Sequence, residues 1–217
     1  MAFGYLVADY CNGVKRSLLL VSLLLWAASG LASPVTLHLL SFDGPWVNGI
    51  PTYPYTLLIG GGVPFLGICD DYYHDGTPTD KWYADLTNLG TGDLTYLRFA
   101  SSGLMAYHEA AWILLETRTT APTQWPDMNY AIWNIFNPSV PIGRGAQFWI
   151  NLAGREAQKQ FPYVDFNLVT IATPVDIYAP PSGDQEFMYI ITPEPASLIL
   201  LASGALGVAG VRRKLRI

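Results

Sequence analysis

The chain has 217 residues, with 12 Lys and Arg against 17 Asp and Glu, and 51% of its residues are hydrophobic. The net charge is −5, and the stretch between the two basic ends is more acidic still, which argues against nucleic acid and an anionic lipid surface as partners of that stretch. Two cysteines in this length exclude a small disulfide-stapled scaffold.

The N-terminal stretch has the layout of a secretory signal peptide. Lys15 and Arg16 precede the apolar run Ser17–Ala28, and Gly30-Leu31-Ala32 supplies small residues for a cleavage site. Residues 1–32 are therefore predicted to be a leader, and residues 33–192 an exported body long enough to bury one core. The leader and the tail hold Lys15, Arg16, Arg212, Arg213, Lys214 and Arg216, and only Asp9 and Glu194 among the acids. Setting these aside leaves six basic and fifteen acidic side chains, a body of net charge −9. Such a body permits a cation such as calcium. Cys11 falls in the leader, so Cys69 is alone in the body and has no internal disulfide partner.

The body opens with strand patterns. Val35–Phe42 and Tyr55–Ile59 are rich in β-formers, and Asp43-Gly44-Pro45, Asn48-Gly49 and Gly60-Gly61-Gly62 punctuate them. A short strand then runs into Cys69, followed by the polar loop "DDYYHDGTPTD". Lys81–Leu86 and Leu94–Phe99 read as further strands joined by a Gly-rich turn. The period then changes to helical. Leu104, Tyr107, His108, Ala111, Leu114 and Leu115 recur at helical spacing. Asp127 is placed to cap a second helix, "MNYAIWNIFN", which Pro138 stops. Gly145–Gln160 makes a third, with Phe148, Trp149, Leu152 and Ala153 on or near one face. Strands return in "YVDFNLVTIAT" and "QEFMYIIT". Strands, helices and strands in that order predict an α+β domain, an antiparallel β-sandwich or barrel-like sheet with a helical lobe inserted over about 104–160.

The tail has a different purpose. Pro193, Glu194 and Pro195 precede Ala196–Val211, 16 residues without a charge. As a helix this run spans roughly 24 Å, against about 30 Å for a bilayer core. Arg212, Arg213, Lys214 and Arg216 follow as a cytoplasmic stop, which puts the body on the outer side of the inner membrane. The two prolines deny a helix its N–H donors and keep the triplet extended. This order of triplet, apolar run and basic end resembles the PEP-CTERM sorting signal of Gram-negative bacteria. The resemblance implies passage through the secretion machinery, transient anchoring, and cleavage near the triplet by an exosortase. It also implies a setting of secreted extracellular polysaccharide.

Chemistry-bearing patterns in the body are few. There is no GxSxG, HExxH, P-loop or dinucleotide fingerprint, and no cofactor is called for. His38, His74 and His108 fall on a strand, a loop and a helix. A Cys69–His108 nucleophile and base is the basis of a hydrolase reading. Asp70, Asp71 and Asp75, with Asp80, are weak calcium candidates that lack EF-hand spacing, and a solvated turn is the expectation. Seven tryptophans and thirteen tyrosines suit sugar stacking as well as core packing.

Cys69-Asp70, "AYHEAAWIL" and Met128-Asn129-Tyr130-Ala131-Ile132-Trp133 resemble the body of a group of PEP-CTERM proteins. More distantly, over roughly residues 55–138, they resemble the thioester domains of bacterial surface adhesins. In those domains a strand cysteine condenses with the glutamine of a Gln-x-Ala-Ile-Trp-like segment and captures a surface nucleophile. Cys69 falls on the cysteine position, but Asn129 stands where the glutamine belongs. Its carboxamide is one methylene shorter, about 1.5 Å less reach. The pair Cys69–Asn129 is thus expected to be a degenerate thioester site, and the protein a non-catalytic surface or matrix component.

Overall fold

A computed structural model describes residues 34–74, 76–159, 164–175 and 184–191, all within the unit Pro34–Ile217. The predicted leader, Asp75, the PEP triplet, the predicted hydrophobic helix 196–211 and the terminal basic cluster lie outside the described residues.

Among the described residues eight strands form: β1 (Val35–Phe42), β2 (Trp46–Val47), β3 (Ile50–Pro51), β4 (Tyr55–Ile59), β5 (Phe65–Cys69), β6 (Lys81–Asn88), β7 (Val169–Pro174) and β8 (Phe187–Ile190). Six close into an antiparallel barrel in the order β1-β4-β5-β8-β7-β6, with β1 returning to β6 through pairs such as Val35 with Ala84. Of the two architectures expected, the barrel is the one formed, and strands from both ends of the body share it. Closure leaves no open edge along these strands. β2 and β3 form a separate hairpin. Its turn is Asn48-Gly49, at φ 53° and 80°. A two-residue hairpin needs these left-handed angles, and Asn-Gly tolerates them best.

Alternation along the strands separates two cores. Leu37, Leu39, Tyr55, Leu57, Cys69, Trp82, Ala84, Ala172, Phe187 and Tyr189 fill the barrel interior. Ile68, Val169, Ile171 and Met188 belong instead to a second cluster, shared with the helices. Each large side chain so buried contributes roughly 1.5–3 kcal/mol.

The helical lobe is inserted between β6 and β7: α1 (Gly103–Glu116), α2 (Trp125–Phe136) and α3 (Arg144–Lys159). α1 is the central helix. Tyr107, His108, Ala110, Ala111, Trp112, Ile113 and Leu114 are all buried, because α2, α3 and β8 surround it. α3 is amphipathic and turns Ala146, Trp149, Ala153 and Ala157 inward. The small alanines let it lie close to α1 and α2.

Several local expectations are corrected. Residues 94–99 form turns rather than a strand. Asp93 captures both the N–H and the hydroxyl of Thr95, at 2.9 and 2.6 Å, a local closure that competes with strand pairing. Asp127 does not cap α2. The helix begins at Trp125, because Pro126 suits the first turn, and Asp127 lies within that turn. On α3 the buried stripe runs through Trp149 and Ala153, while Phe148 is exposed. The last long strand starts only at Val169, since Asp165 caps a short 3-10 turn at residues 166–168.

Candidate functional site

Cys69 ends β5 and is wholly buried. Its side chain groups with the barrel interior, beside Tyr55 and Phe187. α2 approaches the outer face of the same strand, where Ile68 belongs to the helix-side core. Asn129 on α2 therefore meets backbone. Its Nδ2 donates to the Cys69 carbonyl at 2.8 Å, and its Oδ1 accepts the Tyr53 N–H at 2.8 Å. The carboxamide, itself wholly buried, satisfies one group from β5 and one from the segment before β4.

The Cys69 sulfur is engaged elsewhere. Sγ donates to the Asp71 carbonyl at 3.1 Å. Burial pushes the thiol well above its ordinary pKa, and the carboxylates of Asp71 and Asp70 raise it further. The Asp71 backbone bond and the Trp133 indole act weakly in the opposite sense. A thiolate is the reactive form, so this setting suppresses nucleophilicity.

The acidic loop after Cys69 is the main departure from expectation. Asp70 and Asp71 are buried, not part of a solvated turn. Asp71 is held by Arg98 Nη1 and by His74, whose Nδ1 lies 2.8 Å from Oδ2. Arg98 also donates to the Asp184 carbonyl at 2.8 Å. Long-range pairing with Arg98 thus stabilises a charge that local sequence would leave in water. Among the described residues, no group of three His, Cys, Asp or Glu side chains is arranged to hold a metal ion.

Asp70 faces Glu186, the residue just before β8. Burial pushes Asp70 well above the carboxylate range, and the neighbouring Glu186 adds to the shift. Burial raises Glu186 as well, but several donors favour its charged form. Tyr107 OH donates to Oε1 at 2.9 Å, the Arg98 N–H donates to Oε2 at 2.9 Å, and the Thr173 hydroxyl also donates to Oε2. Burial thus raises both carboxyls, while the donors around Glu186 pull its own pKa back toward the charged form.

An aromatic cleft of about 320 Å³ opens beside this cluster. Phe42, Trp46, Tyr72 and Trp133 supply ring surface, and Asp71 and Gln185 supply polar atoms. Trp46 is 61% exposed on the β2–β3 hairpin and meets Phe42 edge-on at 5.8 Å. Tyr72 packs edge-on against Trp133 at 5.2 Å.

Of the sequence-predicted residues, Cys69, Asn129, Asp70 and Asp71 lie together in this region. His108 is placed differently, in α1, stacked on Phe166 at 4.1 Å, with burial lowering its pKa. His38 lies in β1, opposite Leu58 and Lys81. Sequence reasoning missed Arg98, Tyr107, Thr173, Gln185, Glu186 and Tyr53. Only Glu186 carried a signal, as an acid abutting the apolar strand "FMYI".

Neither a curated protein nor a solved structure matches the chain. Residues 192–214 match the PEP-CTERM protein-sorting motif, which implies an exported chain, transiently anchored in the membrane and processed there by an exosortase.

Proposed function

We propose that the body is a non-catalytic component of the cell surface or extracellular matrix, and that it binds extracellular polysaccharide through the aromatic cleft. The observation that carries this reading is Trp46, 61% exposed at the mouth of a cleft lined by further rings and by Asp71 and Gln185. Exposed ring faces such as that of Trp46 stack on the C–H faces of sugars, and the cleft beside it offers further ring surface. A net-acidic body favours neutral chains over anionic ones.

The absence of catalysis is supported by the state of the groups present. Cys69 is buried with a raised pKa, and the Asp70–Glu186 carboxyls are enclosed rather than open to a cleft. A thioester adhesin would need the Asn129 carboxamide released from Tyr53 and from the Cys69 carbonyl, with the sulfur turned toward it.

The test is retention of the full chain on immobilised polysaccharide from a producing bacterium. The native protein should be retained, and Trp46→Ala should weaken retention about tenfold with unchanged Tm, the loss of about 1.4 kcal/mol of stacking. Equal retention of both proteins, or none of either, would overturn the reading.

A further inference from the structure

The second large cleft, of about 440 Å³, lies at the other end of β5 from the aromatic one. Pro64, Phe65 and Leu66 line it from β5 and the residue before it, Ile190 and Ile191 from the end of β8, and Arg118 lines it too. The register explains the grouping: Gly67 pairs with Tyr189, so the start of β5 lies beside the end of β8. Around it, Val63 is 84% exposed, Leu66 49% and Ile191 37%. Exposed aliphatic side chains clustered at one end of a barrel mark an interaction surface rather than scatter. The residues lining this cleft include one cation and no acid, in a body that carries −9.

Position supplies the partner. Ile191 is in the cleft wall, and the uncharged run of the sorting signal begins at Ala196. Five residue steps reach at most about 18 Å. While the tail is in the membrane, the cleft is therefore held within that distance of the bilayer surface. We propose that this end of the barrel is the face the anchored protein lays on the phospholipid bilayer. Val63, Leu66 and Ile191 enter the interfacial zone, and Arg118 meets lipid phosphate. The aromatic cleft, past the other end of β5, then faces away from the membrane. The assignment rests on the anchoring that the sorting motif implies, and does not depend on polysaccharide binding.

The experiment places an environment-sensitive fluorophore on the full chain, carrying Cys11→Ser, at Val63→Cys or at Thr77→Cys. Native Cys69 is buried and stays unlabelled. The protein is reconstituted in phosphatidylethanolamine–phosphatidylglycerol vesicles containing brominated lipid. The label at position 63 should be quenched at least threefold more than the label at position 77, and Leu66→Asp should reduce that difference while the chain still floats with the vesicles. Flotation with equal quenching at both positions would overturn this face alone. A chain that does not float would overturn the anchoring, and the proposal with it. Quenching at position 63 that appears only when an exosortase is added would make the enzyme the occupant and overturn the bilayer assignment.

Discussion

Asn129 bonds the backbone of Cys69, with Nδ2 2.8 Å from its carbonyl oxygen, while the Cys69 sulfur turns to Asp71. The strand's alternation is the cause. The Cys69 side chain belongs to the barrel interior and reaches the Asp71 carbonyl, while the Asn129 carboxamide on α2 meets the backbone at the end of the strand. The carboxamide thereby acts as a fastener between the helical lobe and the barrel.

Truncating that fastener should be costly. Asn129→Ala leaves the Tyr53 N–H and the Cys69 carbonyl without this partner inside the core, and each such group costs about 1–3 kcal/mol. Urea denaturation should show a loss of about 2–4 kcal/mol. A loss below about 1 kcal/mol would show that the two bonds matter little.

The thiol should be inert in the folded protein. A thiol reagent should label Cys69 only after denaturation, because burial and the adjacent carboxylates hold it protonated. Cys69→Ala should lose about 1 kcal/mol. Intact mass should match the unmodified chain, since an internal thioester would lower it by about 17 Da, one ammonia. Rapid labelling of native protein would revive the hydrolase reading, and a methylamine adduct on residue 129 the adhesin reading.

The Asp70–Glu186 pair predicts an unusual pH dependence. Asp70 has a folded pKa well above its ordinary 3.8. Between those two values the folded state holds a proton that the unfolded chain releases. The pair's contribution is therefore fully present below about pH 4 and declines as pH rises, with a limiting slope of about 1.4 kcal/mol per unit. Glu186, raised from 4.5, adds in the same direction. Asp71, Arg98, Tyr107 and Cys69 surround the pair and set its field. Asp70→Asn should flatten the decline in a Tm series from pH 4 to pH 8. An unchanged slope in the variant would remove Asp70 as its source.

Sorting should be separable from folding. Deleting residues 212–217 removes the basic stop but leaves the barrel and the helical lobe intact, because those lie within residues 34–191. In a host with an exosortase, the truncated chain should be mis-sorted yet resist protease like the native body. Normal processing of the truncation would count against the basic cluster as part of the signal.

The sequence by itself determined the address and the element types. Charge order and apolar length are one-dimensional properties, so the sorting motif of the tail could be read directly. Val35–Phe42 and Tyr55–Ile59 were legible as strands, and the helices at 103–116, 125–136 and 144–159 as helices, because their periodicity is local. Residues 94–99 misled because one buried leucine, Leu97, gave strand-like colour to a stretch that Asp93 folds into turns. Tertiary structure alone decided which acids are buried. Asp71 is stabilised by Arg98, 27 residues later, and Asp70 meets Glu186 across the β5–β8 pairing, with Tyr107 donating from α1. Local sequence places such carboxyls in water, since an isolated buried charge is prohibitively unfavourable. Only barrel closure brings the compensating partners to them. The same closure turned the Cys69 side chain into the barrel and left its carbonyl to Asn129, a distinction of one residue in register that no spacing in the chain encodes.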